Sequence, residues 1–160
     1  MPERLRNVRS WYGLPAEIAV EDRLWHLVRV ADVRLNHPPV VNLLLRRNLP
    51  EEDRLRLSFL HEYGHLQTLP IAAFHAVLLV RRMRRVEGMR ELFKAIVFAI
   101  VAHEAAWELA AEGYVLTNTG AEYCKIYRRN PNTLGQALFW TGMASTALLL
   151  TSRLVNPNTA

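Results

Sequence analysis

The chain has 160 residues, of which 51% are hydrophobic and 22% charged, and this composition excludes a disordered polymer and fits a globular chain with a core. Its net charge of +5 is compatible with nucleic acid or anionic lipid, but no aromatic residues stand among the arginines of 81–90, so we expect no nucleic-acid partner. The single Cys124 excludes an intrachain disulfide, and residues 1–13 lack the apolar stretch of a signal peptide. We therefore expect a cytoplasmic or membrane-associated chain on the cytoplasmic side, not a secreted one.

The N-terminal region, residues 1–48, is predicted to hold one helix and two strands. Residues 15–27 begin with proline and carry apolar residues at helical spacing, which predicts a short helix. Residues 27–35 partly alternate apolar with polar and predict a strand, and VVNLLL at 40–45 predicts a second one.

Four helical stretches follow. Pro50 and the acidic residues 51–53 predict a helix start, and we expect this helix to end before Pro70 because the residue preceding proline avoids the α region. Apolar residues from 71 predict a further helical segment that stops at Gly88. A long helix is predicted over 89–112 and an apolar one over 134–150, with Gly113 and Thr133 as the stop and the cap.

Together these elements predict an α+β fold that is mostly α. We expect a single domain over residues 1–160, with the N-terminal region at 1–48, site-bearing helices at 49–116 and a C-terminal apolar helix at 117–160. A membrane-spanning helix needs about 20 apolar residues. The apolar stretches after Pro70, within 89–112 and over 134–150 are short or interrupted by polar residues. They are predicted to be core helices, but the basic clusters beside them leave shallow association with an anionic membrane surface open as an alternative.

The segment FLHEYGHLQ carries two histidines four residues apart. On a helix, His61 and His65 share one face and can direct nitrogens at the same ion. Glu62 is displaced around the helix axis, where it reaches a metal-bound water as a general base. Gly64 is unfavourable within a helix by about 0.5–1 kcal/mol relative to alanine, which indicates that something approaches its backbone closely. The motif predicts a zinc site.

Two histidines do not complete a catalytic zinc site, which usually has three protein ligands and a water. Glu104, Glu108 and Glu112 are spaced four apart and line one stripe of the predicted long helix. No lysine or arginine occurs from residue 95 to 123, so this stripe favours a bound cation over a solvated face. His103, at the start of the same stretch, is a further candidate.

HEYGH followed by WELAAEGYVLTNTG resembles the gluzincins, zinc peptidases whose third ligand is a glutamate on a later helix. The likeness is to their integral-membrane branch, with the heat-shock protease HtpX and the CAAX prenyl proteases, and to the small minigluzincins. The resemblance implies that Glu108 is the third ligand, with Glu104 as the alternative register. It also implies that Glu112 stands where the family has an aspartate that orients a ligand histidine.

These observations predict a zinc-dependent metallopeptidase that acts on a peptide or protein substrate. Glu62 is the predicted general base, and a tyrosine such as Tyr114 or Tyr123 is a candidate for stabilising the transition state. Two alternatives stay open: a zinc-site domain that binds or regulates with little turnover, and a basic helical protein of membrane surfaces without enzymatic activity.

Overall fold

The structure is a computed structural model that describes residues 5–20, 26–30, 33–37, 45–46, 48–128 and 133–155. Four strands precede four helices, which confirms the predicted α+β, mostly α class. The strands are β1 (Leu5–Arg9), β2 (Pro15–Val20), β3 (His26–Val30) and β4 (Val33–His37). The helices are α1 (Glu51–Met83), α2 (Met89–Thr119), α3 (Ala121–Arg128) and α4 (Thr133–Val155).

The strands form one antiparallel sheet in the order β1-β2-β3-β4. A tight turn joins β1 to β2: the Ser10 hydroxyl accepts a hydrogen bond from the Leu14 amide at 2.9 Å. Gly13 has a φ of 90°, a conformation that glycine adopts without the steric cost of a side chain. Ala16 and Ile18 on β2 are buried, so the hairpin contributes one apolar face to the core.

The N-terminal predictions need correction. The helix predicted over 15–27 is wrong, because residues 15–20 form β2 and residues 26 and 27 belong to β3. The apolar residues at 16, 18 and 20 have the period of two that a half-buried strand requires. Residues 15–19 pair with β1, and this pairing makes the segment a strand and not a helix. The strand predicted over 27–35 is two strands, β3 and β4. The strand predicted over 40–45 lies outside the described residues except for Leu45.

Helix α1 runs through Pro70, so the predicted helix end before this proline is wrong. Proline lacks the N–H that would bond the carbonyl four residues earlier, which is that of Leu66. The hydroxyl of Tyr12 donates to this carbonyl at 2.7 Å instead. The indole N–H of Trp11 donates to the neighbouring carbonyl of Gln67 at 3.0 Å. The turn between β1 and β2 therefore satisfies the Leu66 carbonyl that Pro70 leaves without a partner in the helix.

Glycine positions explain the other helix boundaries. Helix α2 begins at Met89 as predicted, and Gly88, at a φ of 88°, accepts the hydrogen bond of the Leu92 amide at 2.9 Å. The predicted stop at Gly113 is wrong, since α2 continues to Thr119 and ends at Gly120, which has a φ of 54°. The helix predicted over 134–150 is confirmed as the middle of α4.

The chain divides into two compact units. Unit 1 comprises Met1–Gln67 and Ala111–Gln136, and unit 2 comprises Thr68–Ala110 and Ala137–Ala160. The main core cluster of unit 1 consists of Leu49, Leu57, Val115, Ile126 and Tyr127. That of unit 2 consists of Leu79, Ala95, Ala99 and Leu154.

Among the described residues, one helix, α1, is long and apolar enough to cross a membrane. Of its most apolar segment of 18 residues, 28% is buried.

Candidate metal centre

The third and fourth turns of α1 carry the histidine pair of the HEYGH motif. His61 and His65 lie one helical turn apart, with ring centroids separated by 4.8 Å and ring planes at 89°. His61 and the adjacent Glu62 are both buried, with 4% and 3% of their surfaces exposed. Apolar surface at Leu57 packs this part of α1 into the core of unit 1, so the motif lies on the inward side of the helix.

Glu108 on α2 completes a group of three ligand-type side chains. One nitrogen each from His61 and His65 and one carboxylate oxygen from Glu108 all lie within 4.8 Å of one another. Glu108 lies within the unbroken helix α2, whereas the two histidines lie on α1. The three residues therefore form a group that can bind a metal ion.

Glu112, one turn after Glu108, contacts His61 directly. Its Oε2 lies 2.9 Å from His61 Nδ1, and both side chains are buried. An ionised carboxylate can only accept hydrogen bonds, so Nδ1 of His61 carries the proton and Nε2 keeps the lone pair that a metal requires. Glu112 thereby fixes the orientation of the His61 ring.

The remaining contacts of Glu112 come from a buried arginine and two tyrosines. Arg46 has no exposed surface, and its Nη2 lies 2.5 Å from Oε2 of Glu112. Tyr123 donates its hydroxyl to Oε1 at 2.6 Å, and Tyr127 donates to the same oxygen at 3.2 Å. Nε of Arg46 donates to the Tyr127 hydroxyl at 3.0 Å, which closes the network. Both carboxylate oxygens are thus held in fixed positions.

This network keeps Glu112 ionised. Burial disfavours the charged carboxylate, but the charge of Arg46 and the hydrogen bond from His61 outweigh it and lower the pKa of Glu112 to about 2. Burial also opposes the charge of Arg46, whose pKa is nevertheless raised by Glu112 and Tyr127. Burial and the neighbouring Glu112 charge raise the pKa of Tyr123, so its phenol stays protonated and remains a donor.

Gly64 lies at a close contact between α1 and α2. A Cβ built on Gly64 would stand 2.7 Å from the carbonyl oxygen and 3.0 Å from the Cα of Ala111, and 3.1 Å from the Cβ of Tyr114. The prediction that something approaches this backbone closely is therefore confirmed. The glycine permits the helix contact that brings His61 near Glu112.

Replacing Gly64 with alanine should lower the free energy of unfolding by about 1–3 kcal/mol, because the new methyl group meets backbone atoms that cannot rotate away. Gly113→Ala is the matched control. Gly113 lies inside α2 with no atom within 4 Å of an added Cβ, so this change should stabilise by about 0.5–1 kcal/mol. Urea denaturation of both variants measures the two effects. Equal signs for the two substitutions would contradict the close helix contact.

Other predicted site residues lie elsewhere. Glu104 is exposed on α2 and does not belong to the three-residue group found among the described residues. The ring of His103 stacks on His75, with centroids 5.6 Å apart. Tyr114 packs its ring edge-on against Tyr63 at 5.7 Å. The hydroxyl of Tyr123 is directed at Glu112, which assigns it a contact that the sequence did not indicate.

The donor set suits a metal ion on two observations. Two imidazoles and one carboxylate are a ligand set of catalytic metal sites that keep a position open for water. Ligand histidines commonly give their second ring N–H to a carboxylate, and His61 has this arrangement with Glu112.

Sequence reasoning missed Arg46, since an arginine after an apolar run usually marks a solvated boundary.

Comparisons with protein-family models, with curated proteins and with solved structures gave no match to this chain. The resemblance to the gluzincins therefore stays a prediction based on the two motifs.

Proposed function

We propose that this chain is a zinc-dependent metallopeptidase that hydrolyses peptide bonds in a peptide or protein substrate. The observation that carries the proposal is the convergence of His61, His65 and Glu108 within 4.8 Å, with Glu62 buried beside His61. Nitrogen and carboxylate ligands in this number are those of catalytic zinc, and the open fourth position takes water. A calcium or magnesium site would instead be built mainly from oxygen ligands.

Bound zinc would supply a Lewis acid that polarises both the attacking water and the scissile carbonyl. The residues of the chain perform the proton transfers and the positioning. Glu62 accepts the proton of the water on a carboxylate oxygen and delivers it to the nitrogen of the leaving amine. Glu112 holds His61 with Nε2 directed away from the shared proton, and Arg46 holds Glu112.

The Glu62→Gln variant tests this proposal. Hydrolysis of a panel of unstructured peptides should fall by about 10²–10⁴-fold, because glutamine cannot accept the proton from water. Zinc content, measured by mass spectrometry, should stay that of the wild type, since Glu62 is not among the three grouped residues. Glu104→Gln, an exposed change on α2, is the control and should leave both quantities unaltered.

Two outcomes would contradict the proposal. Zinc-loaded wild type that cleaves none of the panel would favour a binding or regulatory domain. Cleavage that is equal in the wild type and in Glu62→Gln would assign the activity to another group or another protein.

A further inference from the structure

Unit 2 exposes large apolar side chains on all three of its helical segments. Phe74 on α1 is 65% exposed, Phe93 on α2 is 68% exposed and Leu148 on α4 is 72% exposed. Neighbours such as Ile71 and Ile100 are exposed by 66% and 58%. A water-soluble helix turns such residues inward, and apolar surfaces of this kind mark contact with another apolar body.

The exposed residues follow helical spacing. Residues 71, 74 and 78 on α1 are separated by three and four positions, and residues 93, 97 and 100 on α2 by four and three. Each set therefore forms one continuous stripe on its helix. The apolar window of α1 is only 28% buried, whereas the core helix of a soluble protein is mostly buried.

The interior of unit 2 has the opposite character. Within unit 2, the buried positions of α2 are all alanines at intervals of three or four, which is the spacing of one helix face: Ala95, Ala99, Ala102 and Ala105. Polar groups meet between the helices: Nδ1 of His75 lies 3.4 Å from Nδ1 of His103, and Nε2 of His75 lies 3.4 Å from the Thr151 hydroxyl. Small residues and polar contacts between helices with large apolar residues outside are the packing pattern of helices in lipid.

Positive charge adjoins the apolar stripes. The turn between α1 and α2 carries exposed arginines on both sides, and the Arg82 side chain donates to the carbonyl of Leu154 at 2.9 Å, which places the end of α4 at the same edge. The exposed arginines are Arg81, Arg84, Arg85 and Arg90. Basic residues beside apolar surface attract anionic lipid headgroups.

We propose that unit 2 is a lipid-contacting surface: its apolar stripes contact the hydrocarbon of a bilayer, and the arginines of 81–90 contact anionic headgroups. At 1.5 Å per residue, the stripe over 71–80 is about 14 Å long and that over 89–101 about 18 Å, against about 30 Å of hydrocarbon in a bilayer. A second copy of the chain is the alternative occupant of the apolar stripes, and the experiment below distinguishes it from lipid.

Vesicle flotation of the full chain tests the proposal. Vesicles of phosphatidylcholine with phosphatidylglycerol should carry the chain upward, and vesicles of phosphatidylcholine alone should carry less. Phe74→Ser and Phe93→Ser should each lower the partition coefficient by about tenfold or more, because each removes a large apolar group from the hydrocarbon. Arg84→Ser with Arg85→Ser should lower the preference for anionic vesicles by about fivefold per arginine.

Leu116→Ser is the matched control. Leu116 is an apolar residue of unit 1, 46% exposed, and its replacement should leave flotation unchanged. A second readout uses a polarity-sensitive fluorophore on a single cysteine. Attached at residue 100 in an Ile100→Cys, Cys124→Ser chain, it should shift to shorter wavelength with vesicles, whereas the same label on the native, exposed Cys124 should not.

The proposal is overturned if the chain stays in the vesicle-free fraction, or if Leu116→Ser weakens flotation as much as Phe93→Ser. It is also overturned if the chain is a dimer that does not bind vesicles and Phe93→Ser converts this dimer to monomers. Flotation needs no bound metal and no turnover. Its failure is therefore distinguishable from failure of the proposed peptidase activity, which Glu62→Gln tests independently.

Discussion

Replacing Glu108 with alanine should lower the zinc affinity of the chain by about 10²–10³-fold, since zinc-finger peptides bind zinc with about 10–16 kcal/mol, which is about 2.5–4 kcal/mol for each of their four protein ligands. The expectation follows from the Glu108 carboxylate lying within 4.8 Å of the ligand atoms of His61 and His65. Glu108→Gln should weaken binding as well, because the amide keeps the shape and loses the charge. Competition with a chromophoric chelator measures both affinities.

Glu104→Ala provides the comparison within the same helix. Glu104 lies one turn earlier on α2, is exposed and is outside the three-residue group, so zinc affinity should stay within about twofold of the wild type. Loss of zinc in Glu104→Ala with retention in Glu108→Ala would show that the alternative register of the sequence motif is the correct one.

The second large effect is expected at Arg46. Replacing it with methionine should lower the free energy of unfolding of the metal-free chain by about 3–5 kcal/mol, because the charge of Glu112 is then buried without its arginine partner. Methionine retains the length and apolar character of the stem, so the change isolates the charge. Urea denaturation followed by circular dichroism gives the free energy of unfolding.

Combining Arg46→Met with Glu112→Gln removes both charges and should recover most of the lost stability, since a neutral pair needs no buried counter-charge. Additive destabilisation in the double variant would contradict this account. The double variant should still bind zinc about 10–100-fold more weakly than the wild type, because His61 loses its carboxylate partner. The free energy of unfolding therefore reports the charge pair of Glu112 with Arg46, and the zinc affinity reports the contact of Glu112 with His61.

The sequence predicted the members of the site better than their surroundings. His61 and His65 are set by helical spacing, and Glu108 was reached through its motif, so each had a local signal. Arg46 had none, because its role depends on Tyr127, Tyr123 and Glu112 being folded around it. Contacts between residues more than sixty positions apart leave no pattern within any one segment.

The fold shows the same division. The acidic first turn of α1 and the start of α2 at Met89 were predictable from local chemistry. Pro70 was misleading, because a helix can continue past a proline when another group satisfies the freed carbonyl. Here the Tyr12 hydroxyl does so for Leu66 from a distant turn. The strand at 15–20 was missed because its period of two becomes decisive only once β1 pairs with it.

The network around Glu112 has a consequence for how metal and folding are coupled. Arg46, Tyr123 and Tyr127 fix the carboxylate through contacts within the protein, and the carboxylate fixes His61. The orientation of the His61 ring is therefore set by the folded chain itself, in contrast to zinc fingers, whose ligand side chains become ordered only when the ion binds. Adding a chelator should empty the site and leave the helices intact.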